Sequence, residues 1–155
     1  MNTYHLAQVN IAKGLAPLSD PIMQDFINNV DRINAIADNS KGFVWRFKDE
    51  DKGEALSVFK EEDLLVNISV WEDLESLFNY IYHSDHIEVF KRKKEWFNKV
   101  EMKHMAFWYV PFGTKPSLKD AKIRLDYLNS HGETPYAFTF KSKFSVVDSI
   151  NYKTQ

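Results

Sequence analysis

The side chains best suited to chemistry in this 155-residue sequence are its histidines and a set of polar residues carried on strands. His86 comes first among them. It opens a helical segment just after the run Leu64 to Trp71 and the helix that follows, where a neutral imidazole can take a proton near pH 7. His83, three positions earlier, can share a metal with it, using Asp85 or Glu88 as oxygen donors. Two histidines outside a motif such as HExxH recur by chance, so no metal is assigned. Gln8, Asn10, Asn67 and Ser69 have the strand parity of one sheet face, where a buried amide needs a neighbour, a water or a ligand as partner. His86, Asn10 and Asn67 are therefore the candidate catalytic residues: a base and two groups that orient a substrate or stabilise an anion. Gln8, Trp45, Ser69, Trp71, Tyr82 and Trp108 are the candidate ligand contacts, with the tryptophans as walls for a flat apolar molecule.

The elements that must position these groups follow from periodicity. Residues 4–11 alternate, with Ala7, Val9 and Ile11 on one side and Leu6, Gln8 and Asn10 on the other. Ser19-Asp20-Pro21 starts a helix whose apolar positions Ile22, Phe26, Val30, Ile33 and Ala37 recur at spacings of three and four. GFVWRF is a second strand, with Phe43, Trp45 and Phe47 on one side. A turn at Asp51-Lys52-Gly53 and a short return strand from Ala55 to Phe59 are expected after it. LLVNISVW is the third principal strand; helices follow from Asp73 and, capped by Ser84, from about His86. Met105 to Val110 is a fourth strand. Pro116-Ser117 opens a helix striped by Leu118, Ala121, Leu125 and Leu128, His131-Gly132 stops it, and Ala137 to Phe140 is a last short strand.

This order predicts an α+β fold, a ferredoxin-like antiparallel sheet with helices on one face. The opposite face then carries bulky apolar residues that need a cover, and a second subunit packed face to face supplies one while enclosing a cavity. Residues 1–142 form a single domain on this reading and residues 143–155 a C-terminal tail.

Composition narrows the function by exclusion. With no cysteine, disulfides, thiolate metal sites and cysteine nucleophiles are ruled out. A net charge of -2 gives no general attraction to nucleic acid or anionic lipid, and Lys91-Arg92-Lys93-Lys94 reads as a solvated helix face. Arg46, on a strand, is expected to reach a surface acid. No membrane span and no signal-like N-terminus is visible, so a cytoplasmic location is expected. GxSxG, Walker and GxGxxG motifs are missing.

The segments HLAQVNIA, MQDFINNVDRINAIAD, GFVWRF, SVWEDLESL, HSDHIEVFKRKKEWF and HGETPYAFTF together resemble an uncharacterised, mostly bacterial domain family. That family is placed in the dimeric α/β-barrel superfamily, beside the antibiotic-biosynthesis-type monooxygenases. The resemblance spans roughly residues 4–142, with Trp71, His86, Trp96 and Phe97 on the family pattern and His83 off it. It implies a homodimer with a cavity in each half-barrel, binding a small apolar or aromatic molecule. Some members of the superfamily oxidise aromatic polyketides with oxygen and no cofactor; others bind or degrade haem. A cofactor-independent monooxygenase is the reading carried forward, with a non-enzymatic dimeric binding or structural protein and a haem-binding protein as alternatives. The spacing counts against haem cleavage, since Tyr80 stands near His86 where that branch has a tryptophan.

Overall fold

The computed structural model describes residues 3–48, 53–98 and 103–154. Alternating side chains build β1 (Tyr4–Lys13), β2 (Phe43–Arg46), β3 (Leu64–Trp71) and β4 (Met105–Pro111), paired antiparallel in the order β2-β3-β1-β4. The helices are α1 (Gln24–Asp38), α2 (Gly53–Phe59), α3 (Leu74–His83), α4 (His86–Lys91), α5 (Leu118–His131) and α6 (Val146–Asn151). Local chemistry sets their ends. Asp20 accepts from the Ile22 amide at 3.0 Å and Pro21 starts a 3-10 turn that leads into α1. Asp73 accepts from the Ser76 amide at 2.8 Å to start α3. Ser117 and Asp120 cap α5 reciprocally, and Gly132 ends it at a φ of 77°.

The crossover helices lie on one face of the sheet, as the element order predicts. There Leu6, Trp71 and Phe107 pack with Leu77 and Ile81 of α3, Ala37 of α1 and Phe138. On the opposite face Ala7, Val9, Ile68, Val70, Ala106 and Trp108 are sealed by Leu118, Ala121, Leu125 and Leu128 of α5. Burying each large side chain of that stripe contributes roughly 1.5–3 kcal/mol, which is why α5 docks there. Both faces of the sheet, that of Leu6, Trp71 and Phe107 and that of Ala7, Val9 and Ile68, are thus packed against the chain's own helices.

Three local expectations are corrected. Residues 55–59 form a helix rather than a return strand, because Ala55, Val58 and Phe59 fall at offsets of zero, three and four and make one stripe over the α5 face. Of the turn expected before it, Asp51 and Lys52 lie outside the described residues, while Gly53 opens α2. Phe43 and Trp45 do not share a side: a bulge shifts the register, so that Phe43 stands opposite Trp71 but Trp45 opposite Val70. The expected last strand shrinks to one bridge, in which Phe107 and Phe138 exchange backbone bonds of 2.7 and 3.0 Å.

Residues 143–155, expected as a tail, include α6. Tyr109 donates its hydroxyl to the Phe144 carbonyl at 2.7 Å, and the Tyr127 and Tyr152 hydroxyls lie 2.7 Å apart. No helix among the described residues is long and apolar enough to cross a membrane.

Gly42, between α1 and β2, holds a φ of +85°, and a Cβ there would meet Ser76 Oγ of α3 at 2.0 Å. Gly42→Ala should therefore cost about 2–4 kcal/mol, from the left-handed backbone and the clash together. Urea unfolding of the purified variant measures it; an unchanged midpoint would refute the packing described.

Candidate functional site

Antiparallel register places Gln8 opposite Ser69 and Asn10 opposite Asn67 at the centre of the sheet, on the face beneath α1 and α3. Gln8 Nε2 spends both hydrogens across the strand pair, on Ser69 Oγ and on Asn67 Oδ1, each at 2.7 Å. Ser69 Oγ also accepts from the indole Nε1 of Trp71 at 2.8 Å. Gln8 is 3% exposed, Ser69 6% and Trp71 fully buried, so these bonds are shielded from water. Among the described residues the relay leaves two groups over, the hydroxyl hydrogen of Ser69 and the amide oxygen of Gln8. Gln8 Oε1 has no hydrogen-bond partner among the described residues, and a buried amide oxygen left unpaired costs about 1–3 kcal/mol.

Asn67, at the end of the relay, is exposed, and Asn10 is half-buried. The cause is topological. β2 pairs with only the C-terminal half of β3, and α1 rests mainly against β2 and α4, leaving its Phe26, Val30 and Ile33 half-buried. The polar stretch of β1 and β3 therefore runs from the buried Gln8 and Ser69 to the half-buried Asn10 and the exposed Asn67.

The other wall is aromatic. Trp71 stacks on Tyr80 of α3 with centroids 5.0 Å apart and 25° between planes, and Tyr80 meets His86 at 4.8 Å. Ser84 fixes this corner, accepting from the His86 amide at 3.2 Å and donating to the Tyr80 carbonyl. His86 Nδ1 lies 3.3 Å from the Ile81 carbonyl and donates to it, which leaves Nε2 as a lone-pair acceptor. Burial pushes the imidazole below its ordinary value, with the bond to Ile81 opposing in part. Burial, and then the negative charge of Asp38, push the Tyr80 phenol far up, while Arg46 pulls it down. Tyr80 thus keeps its phenol hydrogen, and the neutral form of His86 is favoured. Arg46 reaches the surface acid its strand position suggests, gripping Asp38 through Nε at 2.8 Å and a terminal nitrogen at 3.3 Å.

Of the residues singled out in the sequence, the structure brings Gln8, Asn10, Asn67, Ser69 and Trp71 to one sheet face, and His86 is linked to Trp71 through the ring of Tyr80. Trp45 and Trp108 stand on the opposite face with the α5 core. Tyr82 packs with Phe78, Phe90 and Phe140 at the outer side of α3, and the exposed His83 touches Phe78. Tyr80, which links Trp71 to His86, was missed as a wall residue. Its place three positions after Leu77, on the edge of the buried stripe of α3, was the available signal. A shallow groove between α2 and α5, lined by Val58 and Ile123 and rimmed by Lys119 and Lys122, lies away from this site.

Among the described residues no group of three or more acids and histidines is placed to hold a metal ion.

An antiparallel sheet in this order, with crossover helices on one face and a polar quartet at its centre, defines a ferredoxin-like α+β protein. The chain belongs to the family described as domain of unknown function DUF3291, which matches residues 5–154. No curated protein matches it. Among solved structures it is similar to a conserved protein from Methanosarcina mazei Go1, at 17% identity and a TM-score of 0.47 over 70% of this chain and 93% of that one. It is also similar to SnoaB, a cofactor-independent oxygenase from Streptomyces nogalater, at 15% identity and a TM-score of 0.42 over 74% and 96%.

Two outcomes follow from the environment of His86. Its folded-state pKa is lowered, so the unfolded chain takes up the proton first; its contribution to stability is present above about pH 6.5 and lost as pH falls toward the folded value. His104, lowered by burial and by Lys93, acts in the same sense, so the comparison is with a variant. His86→Phe should show a shallower loss of urea stability on acidification than the wild type; equal slopes would contradict a half-buried imidazole whose charged form is disfavoured. Titration with haemin should give no saturable Soret shift, and a stoichiometric one would favour the haem-binding alternative.

Proposed function

We propose that the protein binds a small, largely apolar aromatic molecule at the opening beside Asn67, and that His86 acts on it as a base. One observation supports this above the others: a buried relay of polar groups ends in an exposed asparagine and an unpaired amide oxygen, on a sheet otherwise apolar. Such groups are costly in a core and useful in a site. On the same sheet face Trp71 stacks on Tyr80, and Tyr80 in turn meets the ring of His86, whose Nε2 is left as an acceptor.

The reaction this equipment suits is mono-oxygenation without a cofactor. His86 takes a proton from an activated CH2 of the ligand, and Asn67 or Asn10 donates a hydrogen bond to the anion that forms. The carbanion is then oxidised by molecular oxygen; one oxygen atom stays as a new carbonyl and the other leaves in water, so CH2 and O2 become C=O and H2O. As a homodimer the protein would associate through a surface other than the α5-covered sheet face.

Anthrones are suitable probes, because their central CH2 is acidic and their rings are flat. Oxygen consumption by the wild type should fall about 10²–10⁴-fold in His86→Ala, the usual worth of a general base. Quenching of tryptophan fluorescence by the same compounds should persist in that variant. Wild-type protein that quenches without consuming oxygen would remove the oxygenase and keep the binding protein; no quenching would remove both.

A further inference from the structure

We infer that Gln8 Oε1 is a ligand subsite: a buried acceptor that takes a hydroxyl hydrogen from the bound molecule. This rests on the ligand-binding reading above and assigns which chemical group of the ligand meets which atom. Nε2 lies 2.7 Å from two oxygens, Ser69 Oγ and Asn67 Oδ1, and an amide nitrogen with two hydrogens satisfies both. The opposite assignment would bury two donor hydrogens with no acceptor among the described residues. Ser69 is held in turn by Trp71 at 2.8 Å, so the amide is fixed from two sides and its oxygen points away from every bond in the relay. At 3% exposure Gln8 cannot turn that oxygen to bulk solvent.

Charge settles what else the subsite accepts. The cation nearest on this face, Arg46, is committed to Asp38 through two bonds, and the other side chains of the relay are uncharged. An acceptor oxygen without a free cation beside it repels carboxylates and phosphates and favours a neutral O–H. The ligand class is therefore an uncharged aromatic alcohol or phenol.

The test uses 2-naphthol and 2-methoxynaphthalene, which share a ring system and an oxygen and differ in the hydrogen that oxygen can donate. Calorimetric titration of the full chain should show 2-naphthol binding about tenfold more tightly, the worth of one net neutral hydrogen bond in a buried site. Gln8→Met, which keeps the length of the side chain without its amide, should bring the two affinities within about twofold of each other. Wild-type protein that binds both probes equally overturns the subsite, as does a Gln8→Met variant that keeps the preference; the first result stands even where the variant does not fold. Wild-type protein that binds neither probe overturns the ligand-binding reading, and the subsite with it.

Discussion

The register of β1 against β3 is the constraint on which the site depends. Because side chains alternate between faces with a period of two, the pairing of Gln8 with Ser69 and Asn10 with Asn67 collects four polar side chains on one face. A slip of one residue would send those amides into the α5 core and bring Val9 and Ile68 under α3. The apolar partners of the opposite face resist that slip: Ala7, Val9, Ile68 and Val70 are all fully buried. The packing under α5 thus holds the chemistry under α3 in register, although no residue of α5 is part of the site.

How much of this was legible in the sequence depended on whether a signal was local. Alternation in LLVNISVW and YHLAQVNI gave the central strands and the faces of their side chains, since period two is a property of the strand itself. The five residues Ala55 to Phe59 were too short for periodicity to separate a strand from a helix, and only the sheet face waiting for Val58 and Phe59 decides it. The bulge near Val44 was invisible for the same reason: an extra residue shows only against its partner strand, and it moved Trp45 off the face of Trp71. The α5 stripe was read correctly as a helix but not as the cover of the second face, because which surface a helix buries is a tertiary choice.

Electrostatics divides the site into an uncharged interior and a charged rim. Arg46 and Asp38 neutralise each other at the edge, with Asp38 exposed, so their pairing contributes little to stability and mainly keeps a free guanidinium out of the site. Their opposed effects on Tyr80 leave burial as the dominant influence, and burial favours the protonated phenol. Burial likewise favours the uncharged imidazole of His86. A phenol that keeps its hydrogen and an imidazole whose neutral form is favoured thus stand side by side for one cause, the partial burial of both rings.

A sheet buried on both faces has little reason to place glutamine, asparagine and serine side by side at its centre. Valine or leucine at position 8 would pack the same space without a stranded carbonyl oxygen, and the neighbouring positions of β1, Ala7 and Val9, show what this strand uses where only packing matters. The relay therefore costs stability in the isolated chain, and that cost is offset only when something completes it. A water molecule would do so in part, by donating one hydrogen; the hydroxyl of an aromatic ligand would do so while its ring also leaves water.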